Sequence, residues 1–317
     1  MSNAKYTFLL PAYKAQYLEK TLLSIKKQSF KDFNVIVSDD CSPEDIEGIY
    51  VRIVGDDSRF VFRRNKENIG GKSLVAHWNL LVDSCNTEFC VMASDDDMYD
   101  STFLEEIDKL TTLYPNVDLF RGRTKIIGEN DELQLNDQIY PEVMDQAHFF
   151  YVCFSNSFIS CEPNYCYRTK VLKANGGYID FPSAWFSDDA THLLMAKNGC
   201  ATTRDVVFGF RNSGISISNT WMKPDDARKK VEASLAFNKW IDEYHSCILE
   251  NEERFLVGIA YGKCKSKIKS NVENNIQFCS FKSFISLVKR VQHELLMSCP
   301  VLLYNWIRNA RHNRIYK

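Results

Sequence analysis

The sequence predicts an α/β protein with a mostly parallel central sheet, followed by a helical C-terminal region. Three observations predict it. Through the first 128 positions short β-type runs alternate with helical stretches, the pattern of βαβ units. Those runs, among them YTFLL, FNVIVS and TEFCVMAS, do not alternate with polar residues, as expected of strands covered on both faces. Beyond residue 223 the pattern is helical throughout.

In chain order, strands are expected at 6–10, 33–38, 59–63, 87–94 and 117–128. Helices are expected near 16–27, 43–53, 74–84 and 102–113. The stretch 140–220 is aromatic-rich and reads as irregular, with Pro or Gly at 141, 163, 176, 177 and 182. Four helices follow, over 225–245, 251–270, 280–297 and 301–312. A boundary is placed near Asn219–Pro224, giving a first domain over 1–220 and a helical region over 221–317.

Composition narrows the class. The chain has 317 residues, 45% hydrophobic and 25% charged, which excludes a disordered chain, collagen and a coiled coil. Its eleven cysteines include no C-x-x-C pair, so no zinc ribbon or thioredoxin-type site is indicated and the thiols are expected reduced. Tyr6–Leu10 is too short for the apolar core of a signal peptide and runs into Pro11. No apolar stretch reaches bilayer-spanning length, so a cytoplasmic location is expected. Net charge is −2, yet residues 255–317 carry eleven Lys/Arg against two Asp/Glu. The remaining body is therefore acidic, which argues against nucleic acid as a partner.

Ligands of open α/β sheets bind beyond the carboxyl ends of the strands. Pro11, Ala12 and Tyr13 follow the first strand, and Asp39 and Asp40 close the second. Asn68, Gly70 and Lys72 lie beyond the third, and Asp95, Asp96 and Asp97 directly follow the fourth. Three consecutive carboxylates repel one another unless a cation or hydrogen-bond donors compensate. Oxygen ligands suit a hard divalent ion, Mg²⁺ or Mn²⁺, shared with a substrate diphosphate. A single helix cap needs only one Asp and does not explain three. Asp39 and Asp40 read equally as a helix start or as acceptors toward a nucleotide base or ribose. Gly70-Gly71-Lys72-Ser73 lacks the first glycine of a phosphate-binding P-loop, whose place is taken by Lys66. No G-x-G-x-x-G occurs, which demotes a dinucleotide oxidoreductase. What remains is a glycine turn at a helix N-terminus, suited to a diphosphate.

Further on, Trp185 and Phe186 precede Asp188 and Asp189, at the start of a helix expected over 190–198. Either acid could cap that helix. Either could also serve as a general base, beside aromatic rings that form a platform for a sugar acceptor. His77 and His192 lie in helical stretches and read as structural.

The series of motifs resembles a family-two glycosyltransferase of the GT-A fold. LLPAYKAQYLEKTLLSIKKQSFKDFNVIVSDDCSPED resembles that family's opening, and ENIGGKSLVAHWN its glycine-bearing turn and helix. ASDDDMYDSTFLE resembles the metal-binding D-x-D region, FSDDATHLLMAKNG the acidic pair with the catalytic base, and FRNSGISIS a later segment near the nucleotide. The likeness covers about 1–218, with a nucleotide half over about 1–128 and an acceptor half over about 129–220. It implies a donor pocket lined by Pro11, Ala12 and Tyr13, with Asp40 on the base and Asp95 toward ribose and diphosphate. The metal falls to Asp97 or Asp95, because Ser94 stands where many members have the first Asp. Asp189 is the implied base, with Asp188 at the preceding acidic position.

The implied activity is inverting transfer of a single sugar from a UDP- or GDP-linked donor, with Mg²⁺ or Mn²⁺, in cell-surface polysaccharide biosynthesis. The acceptor is a glycan or lipid-linked glycan. The apolar run Leu295–Ile307 with Arg308, Arg311, Arg314 and Lys317 reads either as a peripheral contact with the inner face of the cytoplasmic membrane or as an ordinary packed helix. Two other readings compete: a catalytically silent nucleotide-sugar binder, and a nucleotidyltransferase of related fold. The acidic pair argues against the first. Pro-Ala-Tyr-Lys in place of a glycine-rich loop argues against the second.

Overall fold

The apolar runs of the first half become strands of one sheet in the computed structural model, which describes residues 4–155, 158–214, 223–248 and 254–315. β1 (Tyr6–Ala12), β2 (Phe33–Asp39), β3 (Phe60–Arg64) and β4 (Phe89–Met92) alternate with α1 (Leu18–Lys26), α2 (Ile46–Val54) and α3 (Leu74–Ser84). β2 and β4 flank β1, both parallel to it, and β3 pairs parallel with β2. Local chemistry starts α3 where the sequence placed it, whereas α2, expected from 43, starts at Ile46. Asp45 accepts a hydrogen bond from Gly48 N at 2.9 Å to cap α2, and Ser73 accepts one from Ala76 N at 3.0 Å to cap α3.

The chain continues through β5 (Met98–Tyr99), α4 (Phe103–Leu113), β6 (Leu119–Ile127), β7 (Leu133–Asn136), β8 (Val143–Met144) and α5 (Gln146–Cys153). Then follow β9 (Tyr165–Arg168), α6 (Thr169–Ala174), α7 (Ser187–Met195) and β10 (Cys200–Arg211). The sheet runs β3-β2-β1-β4-β9-β6-β10-β5, with β7 on β6 and β8 on β10. β9 is antiparallel to both β4 and β6, and β10 is parallel to β6. On this sheet Tyr99 packs against Phe8, Phe103 and Phe208 with ring centroids 4.8–5.0 Å apart. Each fully buried ring of this kind stabilises the fold by roughly 1.5–3 kcal/mol.

The stretch expected to be irregular holds two strands that matter. β10 was not expected, and at twelve residues it is the longest strand among those described. Its apolar pattern is broken by Thr-Thr-Arg-Asp, where the register against β6 shifts between Thr202 and Val206. Thr203 Oγ1 accepts Arg123 N at 2.9 Å and donates to Asp205 O at 2.8 Å, so the polar run fills a bulge rather than a turn.

The sheet and its helices form one compact unit, which excludes Phe150–Ser155 and Asp180–Ala190. Those two segments belong to a second unit with Gly214–Lys317, although they lie inside the span assigned from sequence to the first domain. Its helices are α8 (Pro224–Ile248), α9 (Arg254–Ile276), α10 (Phe281–Leu295) and α11 (Cys299–Ile315). Phe237 on α8 stacks on Phe186 at 4.5 Å and on Trp240 at 5.7 Å. Trp306 donates its indole N–H to Cys279 O at 2.9 Å and packs on Phe281 and Phe284. Residues 215–218 of the FRNSGISIS motif and 219–222 of the expected boundary lie outside the described residues, as do the side chains of Arg311, Arg314 and Lys317.

Candidate active site

The strand order reverses at β1, so the crevice beyond the carboxyl ends of β1 and β4 is the sheet's topological switch point. The acidic run leaves β4 there, and its three carboxylates behave differently. Asp95 accepts the amides of Tyr13 at 2.9 Å and Lys14 at 2.8 Å, pinning the loop after β1 to the end of β4. Asp97 is 1% exposed. One of its oxygens accepts Arg211 N at 2.7 Å and the other accepts the Ser94 hydroxyl. Asp96 is half-buried, and its carboxylate accepts no hydrogen bond among the described residues.

Burial, then the neighbouring charge of Asp96, pushes the Asp95 carboxyl up to about 6 and that of Asp97 up to about 8. Both acids are thus protonated more readily in the fold than in the unfolded chain. Their contribution to stability is complete below the ordinary carboxyl range and is lost as pH rises through those two values. In EDTA the wild type is therefore expected to lose stability relative to Asp97→Asn between pH 5 and 8.5, because the amide stays neutral and fills the same place. Thermal unfolding of both proteins across that window checks this. A difference in Tm that stays constant contradicts it.

The residues at the next strand ends are closed by the protein itself. Asp39 is fully buried, accepts Ser42 N at 2.8 Å and forms an ion pair with Arg64. Asp40, expected to contact the base, spends both oxygens on the chain beyond β3. It accepts Asn65 Nδ2 at 2.8 Å, Ile69 N at 3.0 Å and Gly70 N at 2.7 Å. A Cβ on Gly70 would stand 2.9 Å from Asp40 Oδ2, so this close approach requires glycine. Asp40 is therefore the anchor of the glycine turn rather than an open acceptor. Asn68 closes the same turn on Gly71 N, and Lys72 is exposed and paired with Glu67 at 2.6 Å. Ala12 is buried, Pro11 half-buried and Tyr13 exposed at the lip of the crevice.

Two buried side chains organise this site: Arg211, in the FRNSGISIS segment likened above to one near the nucleotide, and His77, read above as structural. Arg211 ends β10 with no exposed surface. It donates from Nε to Asp96 O at 2.8 Å and from Nη1 to Gly128 O at 2.9 Å, faces Asp131 at 2.6 Å and lies over the Tyr17 ring. His77 shares a 2.9 Å hydrogen bond between Nε2 and the Ser38 hydroxyl, with Asp40 3.7 Å from Nδ1. Burial lowers its pKa against the pull of Asp40, which keeps the ring neutral and structural. An arginine after the apolar run VVFGF was the signal for Arg211.

In the second unit α7 begins at Ser187, so Asp188 and Asp189 both occupy its first turn and neither is the cap. Ser187 Oγ instead accepts Phe181 N at 3.1 Å. Asp189 lies 3.4 Å from Lys267 Nζ on α9. Partial desolvation pulls the Lys267 ammonium down, but Asp189 and Asp188 outweigh it and raise its pKa. Trp185 is half-buried and donates from Nε1 to Asn271 Oδ1 at 3.1 Å. Phe186, expected beside it as an acceptor platform, is only 4% exposed and is stacked on Phe237. Its ring belongs to the helical core. Phe186→Ala is accordingly expected to destabilise the protein by about 3–5 kcal/mol, read as a lower urea midpoint.

Among the described residues no three His, Cys, Asp or Glu side chains converge as a ready-made metal cage. A divalent ion held by one open carboxylate plus substrate phosphate oxygens needs no such cage, and Asp96 fits that donor set.

Residues 7–176 match glycosyl transferase family 2, and the chain belongs to that family. It is a glycosyltransferase. A stretch of 94 residues is 33% identical to the GalNAc(5)-diNAcBac-PP-undecaprenol beta-1,3-glucosyltransferase of Campylobacter jejuni. That stretch spans 29% of this chain and 30% of the Campylobacter enzyme. The fold is similar to that of S. aureus TarS 1-349, solved with UDP-GlcNAc, at a TM-score of 0.55 and 17% identity over 99% of this chain and 92% of that one. It is also similar to the mannosyltransferase PcManGT of Pyrobaculum calidifontis, solved with GDP-Man and Mn²⁺, at a TM-score of 0.57 and 14% identity over 96% and 87%. The GT-A fold expected from the sequence is the one observed.

Proposed function

We propose that this glycosyltransferase moves a single sugar, with inversion, from a UDP- or GDP-linked donor to a glycan or lipid-linked glycan in surface-polysaccharide assembly. The observation that carries the reading is the end of β4 at the switch point, where both oxygens of Asp97 and Oδ2 of Asp95 are taken and the half-buried Asp96 carboxylate accepts no hydrogen bond among the described residues. The nucleotide is placed along Pro11, Ala12 and Tyr13 and the glycine turn at Asn68–Gly70, loops already fixed by Asp95 and Asp40. Asp96 is assigned to Mg²⁺ or Mn²⁺, in place of Asp97, both of whose oxygens are taken, and of Asp95, which spends Oδ2 on the loop after β1. When bound, such an ion neutralises the charge of the diphosphate leaving group.

Asp189 is the proposed base: it accepts the proton of the acceptor hydroxyl as that oxygen attacks the anomeric carbon from the face opposite the diphosphate. Asp188 and Lys267 position it through charge. The lipid-linked substrate of the Campylobacter relative supports an acceptor of the same kind. No helix among the described residues is long and apolar enough to cross a membrane. Exposed Phe281, Ile285, Val301 and Tyr304, flanked by exposed Lys282, Lys289, Arg290 and Arg308, support a peripheral contact with an anionic leaflet at the cytoplasmic face.

Thermal shift and donor hydrolysis across UDP- and GDP-sugars, in Mn²⁺, Mg²⁺ and EDTA, test the proposal. Metal-dependent stabilisation and hydrolysis with one nucleotide family support it. No response to any nucleotide sugar defeats it.

A further inference from the structure

Next to Trp185 the helical unit holds a cavity of about 470 Å³, lined by the Trp185 indole, the Lys230 side chain and four carboxamides, those of Asn271, Asn274, Asn275 and Gln277. Its volume suits a small organic ligand. Three of the carboxamides come from one face of α9, and neighbouring bonds orient them. Asn271 accepts the Trp185 indole N–H and donates to Lys267 O at 3.1 Å, and Asn275 donates to Asn271 O at 2.7 Å. Asn275 is 5% exposed, and its Oδ1 is buried with no hydrogen-bond partner among the described residues. A buried acceptor left unsatisfied destabilises the site, and a donor group of a bound ligand removes that cost. Lys230 is 1% exposed, with its ammonium 4.3 Å from the centre of the Trp185 ring.

The lining chemistry selects among ligands. Carboxamides pair with hydroxyl and acetamido groups, each offering one acceptor and two donors. An indole supplies an apolar wall with a polar edge, which suits the mixed surface of a pyranose. The lining contains no carboxylate, so it does not select a cation. A single ammonium is too little to balance a diphosphate. Trp185 is also held at some cost: Ser183, Ala184 and Phe186 have φ of 58°, 56° and 69°. Such left-handed non-glycine residues are strained and persist where surrounding contacts over-determine them. Finally, Asn271 stands four residues beyond Lys267, on the same face of α9 and about one turn along it. The edge of the cavity is therefore about one helical turn from the ammonium that pairs with Asp189.

We propose that this cavity binds one pyranose residue of the acceptor glycan, a hexose or an N-acetylhexosamine. Asn275 Oδ1 takes a hydroxyl or amide proton of that residue, and Trp185 forms the wall against its ring. The term acceptor rests on the transferase reading; sugar binding itself needs neither donor nor metal.

Saturation-transfer NMR on the full chain, in EDTA and without nucleotide, tests it with methyl hexosides and methyl N-acetylhexosaminides as probes. At least one glycoside is expected to bind the wild type, and to bind Trp185→Ala and Asn275→Ala tenfold or more weakly. Trp185→Phe is included in case Trp185→Ala fails to fold; it removes the bond to Asn271 while keeping an aromatic wall, and is also expected to weaken binding. Circular dichroism verifies that each variant is folded. The proposal is overturned if no glycoside binds, if binding ignores Asn275→Ala and both Trp185 variants, or if inorganic diphosphate displaces the glycoside. Failure of the transferase reading appears separately, as wild-type protein that binds a glycoside but no nucleotide sugar.

Discussion

Asp189→Asn is expected to slow sugar transfer by about 10²–10⁴-fold, the range that general-base catalysis contributes. Asparagine has the same shape and can stay beside Lys267, but it cannot take a proton. The loss should therefore fall on kcat, with donor-induced thermal stabilisation kept as in the wild type, because the loops proposed for the donor lie at the ends of β1, β3 and β4. A structural role alone would instead lower stability and donor binding together. An Asp189→Asn protein that transfers sugar at the wild-type rate removes Asp189 from the mechanism.

The second large effect concerns Asp96. A donor present at a hundred times its Kd stabilises a protein by about 2.7 kcal/mol. In Asp96→Ala the metal-dependent part of that stabilisation is expected to vanish, so that Mn²⁺ and EDTA give the same Tm. Asp97→Asn should keep it, because Asp97 already serves Arg211 N and Ser94. Measuring both variants with the best donor, with and without Mn²⁺, separates the assignments. If Asp97→Asn loses the metal effect and Asp96→Ala retains it, the ion belongs to Asp97, as the motif resemblance first implied.

The βαβ frame was legible because its signals are local. Uninterrupted apolar runs and the glycine turn ahead of α3 each act within a few residues. The acidic run at 95–97 was legible as a candidate site for the same reason. Which of its members is open was not, because that depends on Arg211, more than a hundred positions away. Asp40 repeats the lesson: its donors come from Asn65, Ile69 and Gly70, so an acid that looks free in sequence is consumed by the fold. Phe186 and Trp185 are neighbours with opposite fates. Only the packing of Phe237 tells which ring is buried. β10 escaped notice because a bulge interrupts the pattern that announces a strand.

The Asp40 anchor has a kinetic consequence. Its three bonds set the shape of the Asn65–Gly70 turn during folding, so a ligand arriving there finds the loop already ordered. The entropy of fixing that backbone is lost once, when the chain folds, and not again at each turnover. A donor bound along this edge, as proposed, is expected to associate without a separate loop-ordering step. Hydrogen exchange at the amides of Ile69 and Gly70 is accordingly expected to be slower than at loop amides that face water unbonded.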